Sequence, residues 1–373
     1  MIKKLTLWTT AFLFSLHLCG SGLARAETFT VGYIPYDTIS YNVIVNNELG
    51  LWKKYLPQGT ELQFEAFITG PTLANTMLAG RTHIGYISMM PAVILCSKPD
   101  MARIKMAATL GISEGTRSSV LLVRKDAPEF NNYGDLARWL DGKVIASPRG
   151  SGSDQFLRRF FAKYNVKPKE YLNQNIEAIA TNFRGNKLDA AACWEPTLSR
   201  IAADVGEGYA RIVADGRSCD NPDVGVLMMR ADFMEQHPEV AKGYLKAELE
   251  AQRYILNPEN QASVIEMVSK YATGIPKRIL WYSIFGKVPV NHPDPIREWK
   301  NYYFTERERD YVNIVTPFLL EEKVINTATL PEGTIDDALA RQVFKESGYP
   351  PFSDKAVLGV INGRLASECP FND

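Results

Sequence analysis

The stretch LQFEAFITGPTLANTMLAGRTHIGYISMMPAVILC, residues 62–96, runs twice through one pattern. An apolar strand-like run at 62–67 ends in Thr69-Gly70-Pro71-Thr72, where Pro71 suits the first turn of a helix and Gly80 suits its stop. A second short run at 83–87 ends in Ser88-Met89-Met90-Pro91, and residues 92–96 begin another helical segment. Strand, loop, helix, repeated, predicts an α/β fold with a largely parallel sheet. In such a fold the loops leaving the carboxyl ends of the strands gather around a ligand crevice.

The pattern extends both ways. Upstream, Phe29, Val31 and Tyr33 alternate with smaller or polar residues as in a strand; Pro35 stops it, a loop carries Tyr36, Asp37 and Ser40, and residues 43–55 look helical. Downstream the alternation restarts at 119–123 and continues through NNYGDLARWLDGKVIASPRG, residues 131–150, as a helix and then a strand at 143–146. A strand at 224–229 leads back. The expected organisation is a first lobe at 27–118, a second at 119–223, and a return to the first lobe at 224–373 with a helical C-terminal region. Crossing strands near 119–124 and 224–229 would form the hinge.

Residues 1–26 read as an export signal: Lys3 and Lys4, an apolar run to about residue 18, then Ala24-Arg25-Ala26 for cleavage. Leu18 stands before Cys19 where a small residue would be needed, which argues against a lipid-modified Cys19. No later run approaches the roughly 18 apolar residues of a membrane span, so a periplasmic product is expected. Without the signal, 39 basic face 42 acidic side chains, and a net charge of −3 gives no support for a nucleic-acid partner, so none is expected. The remaining 347 residues exceed what one core covers. Cys96, Cys193, Cys219 and Cys369 allow three pairings in an oxidising compartment, with Cys193–Cys219 the expected one because both lie in the middle region. No CxxC occurs, and His83, His237 and His292 are scattered, so neither a metal nor another cofactor is expected.

Two further stretches carry binding chemistry. ASPRGSGSDQFLRRF, residues 146–160, leads from a strand through Gly150, Ser151, Gly152 and Ser153 into a helix whose Phe156, Leu157 and Phe160 recur with helical spacing. The first helical turn offers free N–H groups to an anion, and glycines let a ligand approach the backbone; the same serines serve equally as an ordinary N-cap. A nucleotide phosphate loop is a poorer fit because the Gly-Lys-Ser/Thr ending is missing. NKLDAAACWEPTLSR, residues 186–200, places Trp194 and Glu195 after a small-residue strand, as a ligand wall or as core tryptophan and first-turn glutamate.

Together VGYIPYD, GPTLANTMLAGRTHIGYISMMPA, ASPRGSGSDQFLRRFF and GNKLDAAACWEP resemble, in order and spacing, the substrate-binding proteins of the nitrate, sulfonate and taurine family of ABC transporters, which includes binders of thiamine-precursor pyrimidines. The resemblance covers about residues 28–260. It implies a two-lobed periplasmic binding protein fold (type II) with a ligand cleft between the lobes, followed here by a helical extension. It implies ligand contacts from Tyr33, Tyr36, Asp37, Gly70, Pro71, Thr72, Ser88 and Met89 in one lobe. The other lobe would supply Gly150, Ser151, Gly152, Ser153, Trp194 and Glu195.

The function it implies is a monomeric, non-catalytic solute-binding component that closes on a small organic anion, a sulfonate or carboxylate, and delivers it to an inner-membrane permease. Met89 and Met90 replace the small hydroxyl residues common in sulfonate binders and suit an apolar or aromatic body. Glu195 stands where relatives have aspartate, and EWKNYYFTERERDY, residues 298–311, has no equivalent. Pyrimidine binding, a pyrimidine-synthesis-like enzyme using Cys193, and a ligand sensor are the alternatives.

Overall fold

The computed structural model describes residues 27–113, 120–202, 208–286, 300–349 and 369–373. The expected export signal, with Cys19, lies outside them. Ten described strands run in chain order β1 Glu27–Tyr33, β2 Thr60–Ala66, β3 Ile84–Ser88, β4 Ile104–Ser113, β5 Val120–Arg124, β6 Val144–Ser147, β7 Glu170–Asn173, β8 Ala190–Cys193, β9 Ala210–Asp215 and β10 Asp223–Arg230. They form two five-stranded sheets, ordered β2-β1-β3-β10-β4 and β7-β6-β8-β5-β9.

The two sheets share one plan. Four strands point one way, and a fifth, β10 or β5, runs antiparallel to both neighbours. That strand comes from the far side: β5 follows β4 in sequence but completes the second sheet, and β10 follows β9 but completes the first. Each sheet is therefore largely parallel with one antiparallel strand, the arrangement of a two-lobed α/β binding fold.

Both faces of each sheet are covered, which accounts for the apolar strands. In β5, Val120 and Leu122 pack on one face with Phe183 and Leu198, whereas Leu121 and Val123 pack on the other with Phe156 and Phe160. The expected Cys193–Cys219 disulfide is corrected on this ground. Cys193 belongs to the first of these faces and Cys219 to the second, and both thiols are free. The expected helix at 43–55 is two helices, Tyr41–Glu48 and Trp52–Tyr55, parted where Gly50 takes a φ of 60°.

The C-terminal region is fastened to β4, the edge strand of the first sheet. Thr109 N donates to Tyr302 O at 3.2 Å, Met106 N to Thr334 O at 2.8 Å, and Asp336 N to Met106 O at 3.1 Å. These bonds satisfy an edge that would otherwise be open to pairing. The helix Glu306–Glu321 then packs Val312, Val315 and Leu319 against Leu73, Met77 and Met106 of the same lobe.

Behind β3 the long helix Pro238–Leu256 buries Glu248 completely. Its carboxylate accepts from the Tyr86 hydroxyl at 2.5 Å and from Gln252 Nε2 at 3.0 Å. Tyr244, Tyr302, Asn42 and Lys300 complete its surroundings, Lys300 Nζ donating to Leu110 O at 2.6 Å. Burial outweighs these partners and pushes the Glu248 carboxyl up from 4.5 to about 7. A carboxyl raised in the folded state stabilises the fold fully below its unfolded value and loses that contribution as pH rises through the folded one. Stability to urea should therefore fall by up to about 3 kcal/mol between about pH 4.5 and 7. Glu248→Gln should flatten that fall; an unchanged pH profile in the variant would place its source elsewhere.

Candidate functional site

The carboxyl ends of the parallel strands in both sheets meet at one interlobe cavity. It is lined from the first lobe by Ile34, Asp37, Gly70, Ser88, Pro91 and Asp223, and from the second by Ser151, Gly152 and Trp194. Each residue arrives by a local rule. Ile34 and Asp37 follow β1, and Asp37 caps the following turn by accepting from Ile39 N at 3.2 Å. Gly70 opens the helix Gly70–Leu78, where a Cβ would lie 2.9 Å from Pro91 Cγ, so only glycine lets the two helices come this close.

From the second lobe, Ser151 caps the helix Gly152–Tyr164. Its hydroxyl donates to Pro148 O at 2.6 Å and accepts from Asp154 N at 3.4 Å, so the ordinary N-cap reading holds for this serine while the residue also lines the cavity. Gly150, at φ 77°, donates its N–H to Asp154 Oδ2 at 2.9 Å. Asp154 is buried and also accepts from the Tyr171 hydroxyl at 2.5 Å and from Arg158 Nε at 2.9 Å. Arg149 does not reach the cavity lining. It donates to Tyr171 O at 2.8 Å and lies over the Tyr171 ring.

The lobes are in contact around the cavity. Trp194 Nε1 donates across the cleft to Tyr36 O at 3.0 Å. At Gly150 a Cβ would lie 3.2 Å from Pro71 Cγ, and at Gly152 one would lie 3.3 Å from Asp223 Oδ2. The enclosed volume is about 10 Å³, room for roughly one water. A larger solute needs the lobes to part or side chains to move.

Of the residues suggested from sequence, Asp37, Gly70, Ser88, Ser151, Gly152 and Trp194 line this cavity. The others do not. Tyr33 is core, edge-on to Tyr271. Tyr36 contributes its carbonyl to Trp194 and turns its hydroxyl to Thr273. Pro71 and Gly150 form the contact at the rim, and Thr72 donates to Thr69 O at 2.6 Å. Met89 packs in the core of the first lobe, and Ser153 is buried in the first turn of its helix. Glu195 is fully buried, with its oxygens accepting from Ser199 N at 3.0 Å and Ser199 Oγ at 2.8 Å. Glu195 precedes the helix Thr197–Ile201, whose N-cap is Pro196, and holds Ser199 from outside, so it is not the first-turn glutamate of the sequence reading.

Three lining residues were missed. Ile34 and Pro91 are apolar and carry no signal of their own. Asp223 stands at the start of β10, where a search of strand carboxyl ends does not look.

The catalytic alternative fails on chemistry. Cys193 is buried among apolar side chains, and burial pushes its thiol far above the ordinary cysteine value, opposite to what a nucleophile needs. His83 Nδ1 accepts from Thr30 N, and both His83 and His237 pack edge-on with Phe29.

Fold and cavity together define a two-lobed α/β protein with a cleft between the lobes. Residues 24–269, well over half of the chain, match the NMT1-like family, and the protein belongs to it. The chain is similar to the taurine-binding periplasmic protein of Escherichia coli (strain K12), 26% identical over 228 residues, which are 59% of this chain and 66% of that one. It is also similar to the nitrate/nitrite binding protein NrtA of Synechocystis sp. (strain ATCC 27184 / PCC 6803 / Kazusa), 25% identical over 269 residues, 67% of this chain and 58% of that one. The match thus spans just under two thirds of the first relative and less of the second.

Among solved structures, NrtA from Synechocystis PCC 6803 superposes with a TM-score of 0.67 at 16% identity, covering 88% of this chain and 92% of that one. The alkanesulfonate-binding protein SsuA from Xanthomonas axonopodis pv. citri, bound to MOPS, gives 0.64 at 17%, covering 84% and 99%. These likenesses show the fold.

Glu195→Gln should weaken the bonds to Ser199 and cost about 1–3 kcal/mol of stability in urea unfolding. Unchanged stability would return Glu195 to the list of ligand contacts.

Proposed function

We propose that this protein is the solute-binding component of an ABC importer, which closes its lobes on a small organic acid in the periplasm and presents it to a membrane permease. The observation that carries this reading is the meeting of strand ends from both sheets at one cavity. There the first turn of the helix Gly152–Tyr164 and Trp194 face Gly70 and Ser88 of the other lobe. The named relatives support it, since their printed names are those of periplasmic and solute-binding proteins. No helix among the described residues is long and apolar enough to cross a membrane. Residues 1–26 would then serve as the export signal, the boundaries near 119 and 223 as the hinge, and the monomer as the working unit.

The lining refines the solute class. N–H groups of a helix start favour an acid group, while Asp37 and Asp223 add two carboxylates to the same small space. A carboxylate accepts several donors at once. The solute that suits both walls bears an acid and a donor such as an amine; an amino sulfonate fits better than nitrate.

A thermal-unfolding panel of taurine, ethanesulfonate, benzenesulfonate, nitrate and a pyrimidine tests this. A true ligand at about 100 times its Kd adds roughly 2.7 kcal/mol, a shift of several degrees. Taurine should shift the protein more than ethanesulfonate or nitrate, and Trp194→Ala should abolish the shift. Equal response to every acid, or an undiminished shift in Trp194→Ala, would sink the reading.

A further inference from the structure

The match to the family model ends at residue 269, and the chain continues through a described helical region whose role the family does not supply. Two contacts give it one. Arg158, on the second lobe's helix Gly152–Tyr164, donates through Nη1 to Glu322 Oε2 at 2.7 Å. Glu322 is the C-cap of the helix Glu306–Glu321, which is packed on the first lobe. One residue along, the Arg159 guanidinium lies 5.8 Å from the centre of the Phe318 ring on that helix. Both contacts cross from lobe to lobe.

The same arginine also reaches the cleft. Its Nε donates to Asp154 Oδ1 at 2.9 Å, and Asp154 Oδ2 takes the N–H of Gly150 at the rim. Asp154 is buried and Arg158 largely so, whereas the pair with Glu322 is partly open to solvent. A continuous polar chain therefore runs Gly150, Asp154, Arg158, Glu322. It joins the turn that lines the cavity to an element anchored on the opposite lobe through β4.

We propose that the C-terminal helix Glu306–Glu321 and Glu322 act as a clasp that holds the cleft shut, with Arg158 as the positioning residue that links the clasp to the Gly150–Ser151 turn. The proposal rests on reading the cleft as a ligand site, and it adds a closure contact to those of Trp194 with Tyr36, Gly150 with Pro71 and Gly152 with Asp223. When the lobes part, Arg158 keeps Asp154, on its own helix, and loses Glu322. The arm that closes is thus the one that yields.

The test measures lobe separation directly. Nitroxides on Ile68→Cys and Glu177→Cys, in a Cys369→Ser background, sit near the ends of β2 and β7, the edge strands farthest from the crossing strands. Pulsed electron paramagnetic resonance then reports the open and closed populations without any added solute. Glu322→Lys, which sets two cations against each other, should raise the open-to-closed ratio roughly threefold or more, and Phe318→Ala should raise it less. In 1 M salt the parent should move toward the Glu322→Gln distribution, while that variant stays put. Identical distance distributions in the parent, Glu322→Lys and Phe318→Ala, all with unchanged Tm, would overturn the clasp. Taurine titrated by calorimetry into the parent and Glu322→Lys gives the second reading, where the clasp predicts affinity several-fold weaker in the variant. Taurine that fails to bind the parent counts against the proposed solute, and the distance distributions still decide the clasp.

Discussion

The structure depends on an exchange of strands. Each sheet is completed by a strand that arrives from the other lobe and is hydrogen-bonded on both sides, β10 between β3 and β4 and β5 between β8 and β9. A strand in that position cannot leave without breaking two ladders, so the exchange ties each sheet to the other. The same exchange brings the cavity together. Asp223 opens β10 opposite Ser113, and two residues later Gly225 pairs with Ser88, so the returning strand delivers one lining residue beside another supplied by β3.

How much of this was legible follows from the geometry of strands. β1, β3, β6, β8 and β10 are short apolar runs ended by turn residues, and the sequence pattern finds them within a residue or two. β4, β7 and β9 escape it. β4 is a long run whose Thr109, Gly111 and Ser113 blur the alternation, and it is irregular in its pairing with β10 near Gly225 and Leu227. β7 reads Glu-Tyr-Leu-Asn, with both ends polar.

In the site, the rule of strand carboxyl ends identifies Asp37, Gly70, Ser88, Ser151, Gly152 and Trp194 because Ser88 is the last residue of a parallel strand and the others stand in a loop or first turn after one. It errs by one residue where neighbours face opposite ways: Trp194 lines the cavity while Glu195 turns inward to Ser199, and Ser88 lines it while Met89 enters the core. It misses Asp223 because an antiparallel strand brings its amino end to the cleft.

Closure itself is a matter of few contacts. The apolar clusters belong to one lobe or the other, and among their flanking side chains Tyr36 packs against a cluster on each side. What crosses the cleft is mainly polar: the Trp194 indole on a carbonyl, a guanidinium on a carboxylate, and glycines brought against Pro71 and Asp223. A net hydrogen bond is worth about 1 kcal/mol and a partly exposed ion pair less, so these polar contacts contribute a few kcal/mol at most. If the protein works as proposed, a solute that adds two or three bonds across the cleft would shift the balance between open and closed lobes. The small residues at the rim allow this close approach: a Cβ at Gly150 would lie 3.2 Å from Pro71 Cγ and one at Gly152 3.3 Å from Asp223 Oδ2, so either neighbour would have to give by a few tenths of an ångström.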